Sequence, residues 1–187
     1  MSQLSRFKLQ QACHQLEDGN IIAYPTEAIY GLGCDPFNED AAIKLLELKQ
    51  RSMDKGLILI AADFMQLEPF LDYDEKILQR VQENKSEVIT WVIPAQAWVP
   101  KWLTGKHSSL AVRVTSHPLS KALCEQFDSP LVSTSANPSS KKPARNALQV
   151  RRYFSKYPSL KIINGKTGGN KNPSKIYDAL TGNCLRT

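Results

Sequence analysis

A chain of 187 residues can form one domain with a sizeable core, and its hydrophobic fraction of 42% and charged fraction of 22% are ordinary for a globular protein. No apolar run approaches the roughly 20 residues that span a membrane, and no signal peptide is evident, so we expect a cytoplasmic protein without membrane contact. The spacing of the four cysteines and three histidines predicts free thiols and no metal bound by the protein itself. Cys34 could be a nucleophile only with a base partner that the sequence does not identify.

The net charge of +6 is unevenly distributed along the chain. Residues 141–187 contain eleven Lys and Arg residues and one acidic residue, Asp178, whereas residues 1–140 are net negative. This asymmetry indicates an anionic partner for the C-terminal part, and a nucleotide or a nucleic acid would fit. A solvated basic surface would give the same count, so charge alone does not decide between these alternatives.

Hydrophobic periodicity and turn residues predict alternating helices and strands. In the first half of the chain we expect a helix at Phe7–Leu16, a strand at Ile21–Tyr24 ended by Pro25, a helix from Asn38 to 49–51, a strand at Leu57–Ala61, a helical region at 63–85 broken near Pro69 and a strand at 87–94. In the second half we expect a loop at 94–107, a strand at Leu110–Val114, a helix at Pro118–Phe127, a strand at Pro130–Ser133 and a basic helix at Asn146–Tyr157. The chain then continues with a strand at Leu160–Ile163, a Gly-rich basic loop at 164–173 and a strand at Ile176–Leu180. The alternation predicts one α/β domain over residues 1–187, with a twisted, mixed sheet flanked by helices.

Polar side chains recur next to the predicted strand ends. They form five groups, which are Thr26 with Tyr30, Lys49 with Arg51 and Lys55, Ser109 with Arg113, Ser133 with Ser135 and Asn137, and Ser174. Cations and hydroxyls without paired carboxylates suit a chain of phosphates, because cations supply charge and hydroxyls supply hydrogen bonds. Each group alone could equally consist of capping or surface residues. Together they indicate a cavity for an anionic ligand such as a nucleotide.

The position of three of these cations can be inferred from local geometry. Lys49 and Arg51 are two residues apart, so they can converge only outside a regular helix. Arg113 lies between Val112 and Val114 in a predicted strand and therefore points away from both, toward either solvent or a polar cavity.

Six segments resemble, in order, the motifs of the YrdC/TsaC family of L-threonylcarbamoyladenylate synthases. They are Tyr24–Gly33 as the opening signature, Lys49-x-Arg51, Leu110–Val114, Ser133-x-Ser135-Ala136-Asn137, Asn172-Pro173-Ser174 and the terminal Leu185-Arg186. The chain departs from the family pattern at Ile60, where some members have a histidine, and at 84–87, where many have a Pro-Gly-Pro turn. The resemblance covers nearly the whole chain and implies a single YrdC-like domain with a central basic cavity.

The resemblance also implies a reaction in which L-threonine, bicarbonate and ATP give threonylcarbamoyl-AMP and pyrophosphate. By this likeness, Lys49 and Arg51 would be catalytic, ATP would be bound by Arg51, Lys55, Ser109, Ser133, Ser135, Asn137, Arg145 and Arg186, and threonine by Thr26, Tyr30, Arg113 and Ser174. ATP would carry the expected Mg²⁺ ion. Glu27, the acid of the opening loop, would have a structural or metal-orienting role.

The product would supply N6-threonylcarbamoyladenosine modification of tRNA next to the anticodon, completed by other tRNA threonylcarbamoylation proteins. A different hypothesis is an RNA-binding module without catalysis, which would contact tRNA, double-stranded RNA or the ribosome. The basic C-terminal quarter favours direct contact with RNA in either case. The two hypotheses differ in whether the protein makes an acyl adenylate from ATP.

Overall fold

The computed structural model describes residues 6–84, 88–139 and 141–187, and within these ranges the chain forms six α-helices and nine β-strands. The helices are α1 (Arg6–Glu17), α2 (Glu39–Lys49), α3 (Glu75–Glu83), α4 (Lys101–Thr104), α5 (Pro118–Phe127) and α6 (Ala147–Tyr153). The strands are β1 (Ile22–Pro25), β2 (Tyr30–Gly33), β3 (Ile58–Ala61), β4 (Ile89–Pro94), β5 (Ser109–Val114), β6 (Leu131–Ser135), β7 (Lys161–Ile162), β8 (Lys175–Asp178) and β9 (Cys184–Arg186). In the same ranges, no helix is long and apolar enough to cross a membrane.

The strands form one mixed sheet in the order β7-β1-β2-β6-β3-β5-β4-β8-β9. Near its centre, β3 runs parallel to β5 and antiparallel to β6. The β1–β2 pair is antiparallel, and β4 runs parallel to β8. The mixed sheet predicted from the sequence is therefore confirmed.

Local capping explains why α2 begins and ends where the sequence predicts. The Asn38 side chain accepts a hydrogen bond of 2.9 Å from the Ala41 N–H, which satisfies one of the free donors of the first turn. At the other end, Gln50 adopts a left-handed conformation with a φ of 50°, and its N–H bonds to the Glu47 carbonyl. The chain therefore leaves the helix immediately after Lys49.

Two layers of apolar side chains cover the sheet. The larger cluster packs α2 against strand residues such as Leu32, Leu59 and Val112. A second cluster includes residues of α1 and α5 and packs against the opposite face through residues such as Ile60 and Leu131. Because side chains alternate along a strand, Leu59 and Ile60 serve opposite faces of β3.

Several local predictions were wrong. Within the region 63–85 only α3 is an α-helix; it is preceded by a 3₁₀ turn at Glu68–Phe70 that contains Pro69. The predicted loop at 94–107 contains α4, the predicted helix at 146–157 ends at Tyr153, and β9 was not expected. The predicted helix end at 85 and strand start at 87 lie outside the described residues.

The strand β2 also replaces part of a predicted loop, whereas β1 ends at Pro25, as predicted. Glycine makes the close approach of β2 to its neighbours possible. A Cβ atom at Gly33 would lie 2.4 Å from the Val132 carbonyl oxygen and 2.8 Å from the Tyr24 ring. Gly31 in the same strand has more space, since its nearest neighbour would be the Ser133 Oγ at 3.3 Å.

We predict that Gly33→Ala destabilises the protein by about 2–3 kcal/mol, because the methyl group would push β2 away from β6. Gly31→Ala is the matched control in the same strand and should cost about 1 kcal/mol or less. Urea denaturation of the two variants and the wild type measures both values. Equal losses for the two variants would contradict the packing argument.

Candidate functional site

A cavity of about 540 Å³ lies on the sheet face that α1 and α5 cover only in part. Ser109, Ala111 and Arg113 alternate along β5 and all line it, whereas Leu110 and Val112 point to the buried opposite side. Arg113 therefore faces a polar cavity, which resolves the choice left open by the sequence.

Most of the residues with a predicted ligand role line this cavity. They are Thr26, Arg51, Lys55, Ser109, Arg113, Ser133, Ser135, Ser174 and Arg186. Four others, Tyr30, Lys49, Asn137 and Arg145, are absent from its lining and instead hold segments that form its walls. The Ile60 side chain is buried in the second apolar cluster, away from the lining.

One end of the cavity is built around Arg113. Its Nη1 donates a hydrogen bond of 3.1 Å to the Ser174 Oγ, which shares a hydrogen bond of 2.8 Å with the Thr90 Oγ1. The Arg186 Nη2 donates to the Ser174 carbonyl at 2.8 Å. Burial, together with the charge of Arg113, lowers the pKa of Arg186. Two guanidinium groups thus lie on the two sides of one serine.

Glu27 lies beside Arg113 and is 5% exposed. Its Oε1 accepts hydrogen bonds of 2.7 Å from the Thr115 hydroxyl and 3.0 Å from the Ser116 N–H. Its Oε2 is 3.7 Å from the Arg113 Nη2. Burial acts to raise the pKa of Glu27, but Arg113 and these hydrogen bonds outweigh it and the net pKa is lowered. The carboxyl group is therefore ionised at neutral pH.

The other end of the cavity contains Arg51 and Lys55. The Arg51 Nη2 donates a hydrogen bond of 2.9 Å to the Gly56 carbonyl. Burial lowers the pKa of Arg51. The segment is fixed by a hydrogen bond of 2.8 Å from the Leu57 N–H to the Leu103 carbonyl. Along β5, Ser109 and Arg113 are four positions apart, which corresponds to about 13 Å at roughly 3.3 Å per residue.

Lys49 is buried and is absent from the cavity lining. Its ammonium group donates to the carbonyl and hydroxyl oxygens of Ser135 and to the carbonyl and side-chain oxygens of Asn137, the latter two at 2.7 and 3.0 Å. Burial, followed by the charge of Arg51, lowers the pKa of Lys49 to about 8. Lys49 therefore joins the end of α2 to the last residue of β6 and to the segment that follows it.

The Gly-rich segment 164–173 crosses the edge of the cavity. The Tyr30 hydroxyl donates to the Gly165 carbonyl at 2.6 Å, and the Gly168 N–H donates to the Thr26 carbonyl at 3.0 Å. The Arg145 Nη2 donates to the Lys171 carbonyl at 2.9 Å. Tyr30 and Arg145 thus hold this segment against the opening loop.

Four residues that line the cavity were given no ligand role from the sequence: Thr104, His107, Asn170 and Asn172. Glu27, for which a structural or metal-orienting role was expected, also lines it. The Gly/Asn composition of the segment 164–173 was a signal for the two asparagines. Thr104 and His107 lie in a region that was predicted to be a loop and carried no motif. Cys34 is buried, and burial raises the pKa of its thiol, so it is protonated at neutral pH and unsuited to be a nucleophile.

A mixed sheet with an open, hydroxyl-lined and strongly cationic cavity on one face defines an α/β protein of the kind that binds small anionic ligands. The chain belongs to the Sua5/YciO/YrdC family, whose model carries the description "telomere recombination" and matches residues 14–187. The family predicted from the motifs and the predicted fold class are both confirmed.

Alignments with similar proteins extend over almost the whole chain. The threonylcarbamoyl-AMP synthase of Cellvibrio japonicus is 47% identical over 180 residues, which is 96% of this chain and 95% of that protein. The protein of the same name in Escherichia coli strain K12 is 49% identical over 188 residues, which is 98% of this chain and 97% of that protein.

Solved structures agree in fold. The structure of P. abyssi Sua5 complexed with L-threonine has a TM-score of 0.87 and 30% identity, and the match covers 95% of this chain and 52% of that chain. This chain thus spans about half the length of that Sua5 protein. E. coli YciO has a TM-score of 0.83 and 22% identity, covers 99% of this chain and 93% of its own, and supports the fold alone.

We predict that Lys49→Met lowers the free energy of unfolding by at least about 2 kcal/mol, because it leaves partly buried oxygens of Ser135 and Asn137 without a donor. Lys44→Met is the matched control, since Lys44 is an exposed lysine of the same helix and should change stability by at most about 0.5 kcal/mol. Chemical denaturation at neutral pH compares them. A Lys49 variant as stable as the Lys44 variant would contradict the structural role.

Proposed function

We propose that this protein is a threonylcarbamoyl-AMP synthase, which converts L-threonine, bicarbonate and ATP into threonylcarbamoyl-AMP and pyrophosphate. The observation that carries this function is one cavity with an Arg113–Ser174 end and an Arg51–Lys55 end. It occurs in a chain whose sequence is 47% and 49% identical to two synthases of that name. The product supplies N6-threonylcarbamoyladenosine modification of tRNA. We also propose that residues 1–187 act as one domain, in the cytoplasm.

The Arg113 end suits an amino acid. We infer that the guanidinium of Arg113 binds the threonine carboxylate, a geometry in which two parallel hydrogen bonds can form. Ser174, already bonded to Arg113, would contact the same ligand. The Thr26 hydroxyl donates to the Ile29 carbonyl at 2.8 Å, which leaves its oxygen free to accept a hydrogen bond from threonine. Tyr30 would act indirectly, through the segment that it holds.

The Arg51 end suits a chain of phosphates. Arg51 and Lys55 would neutralise the triphosphate, and Ser109, Ser133 and Ser135 would contact the rest of the nucleotide, which would reach Arg186 toward the other end. Asn137 and Arg145 would act on the nucleotide through the wall segments that they hold. No group of three or more carboxylates, histidines or cysteines that could hold a metal occurs among the residues described. We therefore propose that Mg²⁺ is held through phosphate oxygens of ATP, the usual mode for this ion.

The chemistry requires two bond-forming steps. Bicarbonate gives CO₂ and hydroxide. The neutral threonine amine attacks the carbon of CO₂, and the proton that the nitrogen then loses converts the hydroxide into water, which leaves a carbamate. A carbamate oxygen then attacks the α-phosphorus of ATP, and the bond from that phosphorus to the pyrophosphate oxygen breaks. Both steps depend chiefly on positioning and on neutralising phosphate charge. A cavity with an anion-binding group at each end provides both.

The RNA-binding module without catalysis is the less well supported alternative, because the relatives are named as synthases. Direct contact with tRNA or double-stranded RNA remains a prediction from the basic residues of 141–187, and so do the other tRNA threonylcarbamoylation proteins as partners. Production of pyrophosphate and an acyl adenylate from ATP, dependent on both threonine and bicarbonate, tests the synthase directly. Purified protein that binds RNA but makes no such product would support the alternative.

We predict that Arg51→Ala lowers kcat/KM for ATP by at least about 2 kcal/mol, or about thirtyfold, because it removes a partly buried cation from the phosphate end. Lys106→Ala is the control, since Lys106 is an exposed cation in the neighbouring segment and is absent from the cavity lining. Steady-state rates of pyrophosphate release give both values. An Arg51 variant within twofold of the wild type would overturn the assignment of Arg51.

A further inference from the structure

Buried polar atoms without a hydrogen-bond partner are concentrated at the cavity. Among the described residues, five buried side-chain atoms lack such a partner, and four of them belong to residues that line the cavity: Glu27 Oε2, Arg51 Nε, Thr104 Oγ1 and Arg113 Nε. An unpaired buried polar group is costly, so a folded protein retains few of them without a reason. Their location beside the cavity indicates that a small shift of these side chains would bring the atoms into contact with a ligand.

Glu27 differs from the other three because its unpaired atom is a negatively charged acceptor. Within the described part of the chain, it is the only acidic residue of the cavity lining, which otherwise contains Arg51, Lys55, Arg113 and Arg186. The anionic phosphates and carboxylates of the proposed substrates cannot satisfy a carboxylate oxygen. A ligand group with an N–H or O–H donor would match this oxygen, and a cationic donor would bind most strongly.

The two carboxylate oxygens of Glu27 differ in their hydrogen bonds. Oε1 accepts from Thr115 and Ser116, which fixes the orientation of the carboxylate plane. Oε2 is 3.7 Å from the Arg113 Nη2, too far for a hydrogen bond, and Arg113 directs its Nη1 to Ser174 instead. A carboxylate group and a guanidinium group therefore lie side by side at the wall of the cavity. An α-amino acid has the complementary pair of charges on one carbon atom.

We propose that Glu27 Oε2 binds the α-amino group of the amino-acid substrate while Arg113 binds its carboxylate. This inference rests on the proposed function and adds to it a residue that selects the amine. The nitrogen of a carbamate still carries one N–H, so the same hydrogen bond can persist after the amine has been carboxylated. Glu27 would then hold the reacting nitrogen in one position from substrate binding until adenylate formation.

The test compares two ligands that differ only at the amine. L-threonine and its deaminated analogue, (R)-3-hydroxybutanoate, are titrated into wild-type protein and into Glu27→Gln, with binding followed by ligand-observed NMR. The isosteric amide can still accept at the Oε1 position but carries no charge. We expect the variant to bind threonine at least about tenfold more weakly, and to bind 3-hydroxybutanoate as the wild type does within about threefold.

Thr115→Val is the matched control, because it removes a contact to the other oxygen of the same carboxylate. If Glu27 only supports Arg113, Glu27→Gln and Thr115→Val will both weaken the two ligands in parallel, and the proposal is overturned. Threonine affinity in Glu27→Gln within about threefold of the wild type also overturns it. If the wild type binds no threonine at all, the proposed function itself fails, which is a distinct result.

Discussion

The alternation of side chains along β5 is the constraint on which the site depends. Because every second residue faces the cavity, Ser109 and Arg113 lie on the same face and about 13 Å apart, with the small Ala111 between them. The neighbouring strands β3 and β6 continue this face through Ile58 and Ser133, which are paired in register. The sheet thus separates two anion-binding ends by a rigid distance, and both substrates of a condensation can be held at once.

Buried charges fix the walls of this cavity. Lys49 donates hydrogen bonds to Ser135, the last residue of β6, and to Asn137, and Glu27 accepts hydrogen bonds from two residues after β5. Each charge is stabilised by several hydrogen bonds, which a buried ion requires. The consequence is a site whose ligand-binding side chains are positioned before any ligand arrives, so that less free energy is lost in ordering them.

The sequence predicted those features that depend on local chemistry. The helix α2 follows from its Asn38 cap, and α5 has the predicted bounds because Pro118 opens it. The strand β2 was missed because Gly31 and Gly33 usually mark a loop, whereas here they allow close contact with β6. Motif resemblance identified most cavity residues. The hydrogen bonds of the buried Lys49 and the unpaired Oε2 of Glu27 depend on tertiary contacts, which the spacing of residues in the sequence does not predict.

The central claim is that the amino acid and the nucleotide occupy opposite ends of one cavity at the same time. The most direct test is calorimetric titration of L-threonine into protein saturated with a non-hydrolysable ATP analogue. We expect threonine to bind the saturated protein with an affinity equal to or greater than that for the free protein. Competitive displacement of threonine by the analogue would contradict the claim, because it would place both ligands in the same position.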